Sequence, residues 1–161
     1  MENNNIRVRV MSRLDATYYC SNPHDEKAVI ISISTPYLDY EIEPYINAEN
    51  GVHDILKLRF FDADEPNGLD VNNVAAADSD LMSDEDAAKI ADFVEDNKQH
   101  LIIVHCDAGI SRSSAVAAAV LFHYTGDDSA IFDNERAYSP NMWVYFKVLK
   151  AFGHTFFSET T

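Results

Sequence analysis

The chain has 161 residues, 47% of them apolar, and a formal net charge of −15. Length and apolar content fit one globular domain, 1–161, and the charge makes nucleic acid and anionic membranes poor partners. No apolar run is long enough to span a bilayer, the start Met1-Glu2-Asn3-Asn4-Asn5 does not read as a signal peptide, and two cysteines, Cys20 and Cys106, point to a reduced, cytoplasmic setting without a disulfide framework.

Ile6-Arg7-Val8-Arg9-Val10 alternates apolar and charged residues and predicts an edge strand. Ser12 can cap a short helix carrying Leu14, Ala16 and Tyr19. Lys27 to Ile33 predicts a buried strand that stops before Pro36, since proline cannot continue a central ladder. Tyr37, Tyr40 and Tyr45 follow in an acidic, irregular segment. Asn50-Gly51 marks a turn, and His53 to Phe61 predicts a third strand. A loop of carboxylates and turn formers begins at Asp62. Ser83-Asp84-Glu85-Asp86 is a helix start, with a serine cap and acids in the first turn, and this helix should end near Lys98.

Leu101-Ile102-Ile103-Val104 predicts another buried strand. Next comes His105-Cys106-Asp107-Ala108-Gly109-Ile110-Ser111-Arg112-Ser113, and then an alanine-rich stretch from Ser114 to Phe122 that predicts a buried helix ending at Gly126. Asp128-Ser129 predicts a cap for a short helix through Phe132. Pro140-Asn141 precedes a last helix, Met142 to Phe152. Strands alternating with helices predict an α/β domain: a central, mainly parallel sheet flanked by helices.

The loop from Cys106 to Ser113 therefore lies between the end of a strand and the start of a helix. Backbone N–H groups and the helix dipole make such a junction an anion site, and they favour the thiolate of a cysteine placed there. Gly109 lets the backbone turn and approach a ligand. Arg112 offers a planar fork matched to two phosphate oxygens, and the Ser113 hydroxyl can donate to the cysteine sulfur. A sulfur nucleophile inside a cradle for a tetrahedral anion is the chemistry these residues imply.

His-Cys, five residues, Arg and Ser, in the form found here, resembles the signature of the cysteine-dependent protein tyrosine phosphatases, and most closely their compact dual-specificity branch. With its flanking elements the resemblance extends from about Val52 to about Phe152. It implies a phosphate-binding loop of Asp107, Ala108, Gly109, Ile110, Ser111 and Arg112, with Cys106 as nucleophile. It also implies an aspartate that protonates the leaving oxygen and then activates water. That aspartate is placed at Asp62, with Asp64 the runner-up and Asp70, Asp78 and Asp80 open. His105 is expected to pack behind the loop and order it by hydrogen bonding. Asn141 can either brace the active-site loops or simply start a helix.

Other features narrow the substrate. Trp143 is the only tryptophan, so the Trp-Pro-Asp acid loop of the large tyrosine-specific enzymes is absent. The loop has no lysine, and Asp107 argues against highly charged phosphoinositides. His24, His53, His100, His123 and His154 show no metal-ligand spacing, and the chemistry requires no metal and no cofactor. The expected function is hydrolysis of a phosphomonoester, on a phosphorylated protein or a small molecule. Phosphotyrosine is the first substrate, with phosphoserine and phosphothreonine open. Two other readings stand beside it, a non-catalytic phosphate-binding module and a nucleotide or RNA 5′-phosphatase, the latter disfavoured by the charge. Whether Cys20 can pair with Cys106 and whether the protein is oligomeric stay open.

Overall fold

The computed structural model describes residues 5–36, 46–48, 50–63 and 81–155. Four strands are present in them: β1 (Arg7–Met11), β2 (Ala28–Ser34), β3 (Val52–Arg59) and β4 (Leu101–His105). They form one sheet in the order β1-β4-β2-β3, and every pairing is parallel. The helices are α1 (Arg13–Cys20), α2 (Asp84–Asn97), α3 (Arg112–Thr125), α4 (Ser129–Phe132) and α5 (Met142–Ala151).

Parallel sheets need both faces covered, and the burial pattern shows why this one is stable. All residues of β2 and of β4 are buried. On one face Val29, Ile31, Ile102 and Val104 pack against α2, α3, α4 and α5, through residues such as Ile90, Val116, Ile131 and Val148. On the other, Ala28, Ile30, Leu101 and Ile103 pack with Ala16 and Cys20 of α1. β1 lies at the edge, as its alternation of apolar and charged residues predicts. Among the described residues no helix is long and apolar enough to cross a membrane.

The caps follow local chemistry. The Ser12 hydroxyl accepts from the Asp15 N–H at 3.1 Å, and Ser83 with Asp86 closes a reciprocal capping box. Gly126 ends α3 with φ 76°, a left-handed conformation that suits glycine. Asp128 departs from expectation. It makes no capping bond, because its carboxylate instead accepts from the Tyr145 hydroxyl at 2.6 Å. The tyrosines at 37, 40 and 45 lie outside the described residues.

Because all strands run the same way, their carboxyl ends share one edge of the sheet. Open parallel sheets bind ligands at that edge. β4 is inserted between β1 and β2, so the loop that follows it is surrounded by chain leaving the other three strands.

Candidate active site

Each strand end delivers a component. The end of β1 delivers Arg13, the end of β2 Thr35, the end of β3 Phe60 and Asp62, and the end of β4 the loop that carries Cys106, Asp107 and Arg112. α3 fixes the loop from below. Its residues from Arg112 to Val120 are all buried, and their small alanines let the helix lie close against its neighbours. Ser111 precedes this helix, but its hydroxyl makes no capping bond. It donates to Asp62 Oδ1 at 2.7 Å instead, so the first-turn N–H groups have no side-chain cap.

Gly109 is required for a reason other than ligand approach. It has φ +73°, and a Cβ added there would stand 2.8 Å from the Met11 carbonyl carbon and 2.8 Å from the Ser12 nitrogen. The loop is seated against the β1–α1 junction so closely that only glycine fits.

Cys106 is 3% exposed, and its sulfur lies 3.0 Å from the Ser113 hydroxyl. Behind it His105 is fully buried. His105 Nε2 lies 2.6 Å from the Ser32 hydroxyl, and Nδ1 lies 3.1 Å from the Cys106 carbonyl. A carbonyl can only accept, so Nδ1 carries the proton and Nε2 accepts from Ser32. Burial pushes the His105 pKa down from 6.5 to about 4, and the charges of Arg13 and Arg112 act the same way; the Cys106 carbonyl and the Asp107 charge oppose them. The ring is therefore neutral, and it holds the backbone of the cysteine from behind.

Arg112 is 3% exposed, and its five donors can be traced one by one. Nη1 donates to Thr35 Oγ1 at 3.0 Å and to the Phe60 carbonyl at 2.8 Å. Nη2 donates to Asp107 Oδ2 at 3.0 Å. The Nε hydrogen, which is buried, and the second Nη2 hydrogen have no partner among the described residues. Nε and Nη2 share one edge of the guanidinium, and such an edge is a two-pronged fork of the kind that grips a phosphate.

Asp62 is held from two sides. Besides Ser111, the Asn141 amide donates to its Oδ1 at 2.8 Å and to the Ala63 carbonyl at 3.0 Å. The Asn141 carbonyl oxygen accepts from the Val144 N–H at 3.1 Å, so the residue both braces the acidic loop and caps α5. Asp64, Asp70, Asp78 and Asp80 lie outside the described residues.

Asp107 differs from a plain substrate contact. Its carboxylate is spent on Arg13, Arg112 and Thr35. Burial works to raise its pKa, but the Arg13 hydrogen bond, both arginine charges and the Thr35 hydroxyl outweigh that and hold it below the usual carboxylate value. Cys20 packs on the face of the sheet opposite to Cys106, so the folded protein does not bring the two sulfurs together. Arg13, Ser32 and Thr35 were not legible as site residues. Each is a single polar residue beside a strand, with no spacing that ties it to the loop.

This is the fold of the compact cysteine-dependent phosphatases. Human DUSP28 superimposes with a TM-score of 0.58 over 91% of this chain and 94% of that one, at 16% identity. The active form of Tk-PTP does so with a TM-score of 0.53 over 93% of each chain, at 18% identity. PTPMT1 in complex with PI(5)P gives 0.54 over 94% and 93%, at 17% identity. At such identities the likeness is one of fold. No family model and no curated protein sequence matches the chain.

Proposed function

We propose that this chain is a phosphomonoester hydrolase that works through a cysteinyl-phosphate intermediate, with phosphotyrosine as its first substrate. The observation that carries the reading is the buried, unpartnered Nε of Arg112, next to an Nη2 that makes a single bond to Asp107, in a loop whose cysteine sulfur meets a serine hydroxyl. A buried donor pair costs free energy until an acceptor arrives, and a phosphate supplies two oxygens at once.

In this mechanism Cys106 attacks phosphorus as the thiolate, and the bond to the leaving oxygen breaks as Asp62 gives that oxygen its proton. Arg112 and the loop N–H groups from Asp107 to Arg112 hold the remaining oxygens. Water then attacks the phosphocysteine. Asp62 takes the proton, phosphate leaves, and the thiolate is regenerated with the Ser113 hydroxyl donating to it. Asp62 suits both steps, because Ser111 and Asn141 occupy only Oδ1. Preference for an aryl ester is supported by two exposed apolar side chains next in sequence to site residues, Ile110 at 47% beside Ser111 and Met142 at 37% beside Asn141.

The test is hydrolysis of phenyl and nitrophenyl phosphate with EDTA present. Turnover should persist in EDTA and vanish in Cys106→Ser, while Cys106→Ser still binds phosphate. Asp62→Asn should lower phenyl phosphate turnover by about 10²–10⁴-fold and nitrophenyl phosphate turnover less, since the better leaving group needs the proton less. Turnover by Cys106→Ser within a few-fold of the parent would refute the mechanism. Phosphate binding without turnover in the parent would make the chain a binding module.

A further inference from the structure

The two arginines of the site share one carboxylate, and the division between them is unequal in a way that bears on the reaction. Arg13 is the first residue of α1 and is 5% exposed. Its Nη2 donates to Asp107 Oδ1 at 2.6 Å and to the Ser34 hydroxyl at 3.1 Å. Its backbone N–H donates to the Asp107 carbonyl at 3.2 Å. The other carboxylate oxygen, Oδ2, takes Arg112 at 3.0 Å and Thr35 at 3.0 Å.

Carboxylates and guanidiniums favour the two-pronged arrangement, in which both oxygens face both donors of one edge. Here Arg112 is denied it. Oδ1 is turned towards Arg13, so Arg112 meets Asp107 through Nη2 alone and its buried Nε stays without a partner. Without Arg13, Oδ1 could swing to Arg112 and occupy the donors that a phosphate needs. The local charge would change as well. Arg13, Arg112 and Asp107 together carry one positive charge inside a chain of net charge −15, and loss of Arg13 would cancel it.

We propose that Arg13 is a positioning residue which, by holding Asp107, prevents that carboxylate from capturing Arg112 and so keeps the guanidinium available to the phosphate. This rests on the phosphate-binding reading above. It differs from a purely structural account, in which Arg13 merely pins α1 to the loop.

The two accounts separate in a double-mutant cycle. Inorganic phosphate binding is measured by calorimetry in the Cys106→Ser protein, alone and with Arg13→Met, Asp107→Asn or both, each first shown to be folded by thermal unfolding. Arg13→Met should weaken phosphate binding by about 10- to 100-fold, the scale expected when a binding group is misplaced by a small distance. With Asp107→Asn already present there is no carboxylate to capture Arg112, so adding Arg13→Met should cost less than about threefold. Arg13→Lys, which keeps the charge but lacks the fork, should fall between the parent and Arg13→Met. It serves in the same cycle if Arg13→Met does not fold.

Equal losses on removing Arg13, with and without the Asp107→Asn substitution, would overturn the proposal in favour of the structural account. Unchanged binding in Arg13→Met or Arg13→Lys would overturn it outright. Failure of the parent Cys106→Ser protein to bind phosphate would overturn the reading of the site, and this inference with it.

Discussion

His105 gives a stability prediction whose size follows from its surroundings. In an unfolded chain a histidine titrates near 6.5. In the folded protein burial lowers that to about 4. Between these values the unfolded chain holds a proton that the native chain refuses, so unfolding becomes easier as pH falls. The contribution is fully present above 6.5, declines through the interval, and is gone below about 4. The difference corresponds to about 3 kcal/mol. Urea unfolding at steps from pH 7 to pH 4.5 would measure it in the parent and in His105→Gln. The variant should be less stable at pH 7, because the bonds to Ser32 and the Cys106 carbonyl are altered. Its stability should nevertheless fall less on acidification, with most of the about 3 kcal/mol missing from the difference. All other carboxylates and histidines titrate in both proteins and cancel. Parallel curves would refute the reasoning and place a charged or solvated imidazole behind the loop. A pKa lowered to about 4, with both ring nitrogens engaged behind the loop, makes His105 a poor candidate for the base of the reaction.

Two further outcomes are expected of the site. Ser113→Ala should slow breakdown of the phosphocysteine more than its formation, by about 10- to 100-fold for loss of a hydrogen bond to a developing thiolate, and rapid quenching should show the intermediate accumulating. Ser111→Ala and Asn141→Ala should each lower kcat/KM for phenyl phosphate by about 10-fold, and for nitrophenyl phosphate less, because both side chains hold Asp62 Oδ1.

The elements of this fold were legible where the signal is local. An apolar run gives β2 and β4, a serine followed by acids gives α2, and a glycine after the alanine-rich stretch ends α3. The candidate nucleophile, the arginine and the serine beside it were legible for the same reason, since one loop of fixed spacing carries them all. The candidate acid Asp62 was reachable because it lies just past the end of β3, where a run of carboxylates and turn formers begins. The other half of the site is built by distance in sequence. Thr35 reaches Arg112 across 77 positions, and Arg13 reaches Asp107 across 94. Only the order in which the strands are laid down brings these together, and no periodicity encodes that. The use of Asp107 was missed for a related reason. A carboxylate beside an anion site looks like a filter on substrates until its two cationic partners are in view. Cys20 could not be placed from sequence either, because the face of the sheet that α1 covers is decided by the crossover and not by the helix's own pattern.

The charge of the chain and the charge of the site act over different distances. Surface carboxylates are screened beyond about 10 Å at 0.1 M salt. Within that range they repel a phosphate dianion, and nothing in the net charge of −15 draws it in. Attraction begins only at contact, where Arg112 stands almost fully buried and the medium screens poorly. On the proposed function such a site would select by fit, one phosphate group meeting Arg112 and the loop N–H groups. A second phosphate on the same molecule would be expected to meet the Asp107 carboxylate, which Arg13 and Arg112 hold ionised. On the proposed function, discrimination against multiply phosphorylated small molecules is expected to come from this carboxylate, and preference among monoesters from the exposed side chains of Ile110 and Met142.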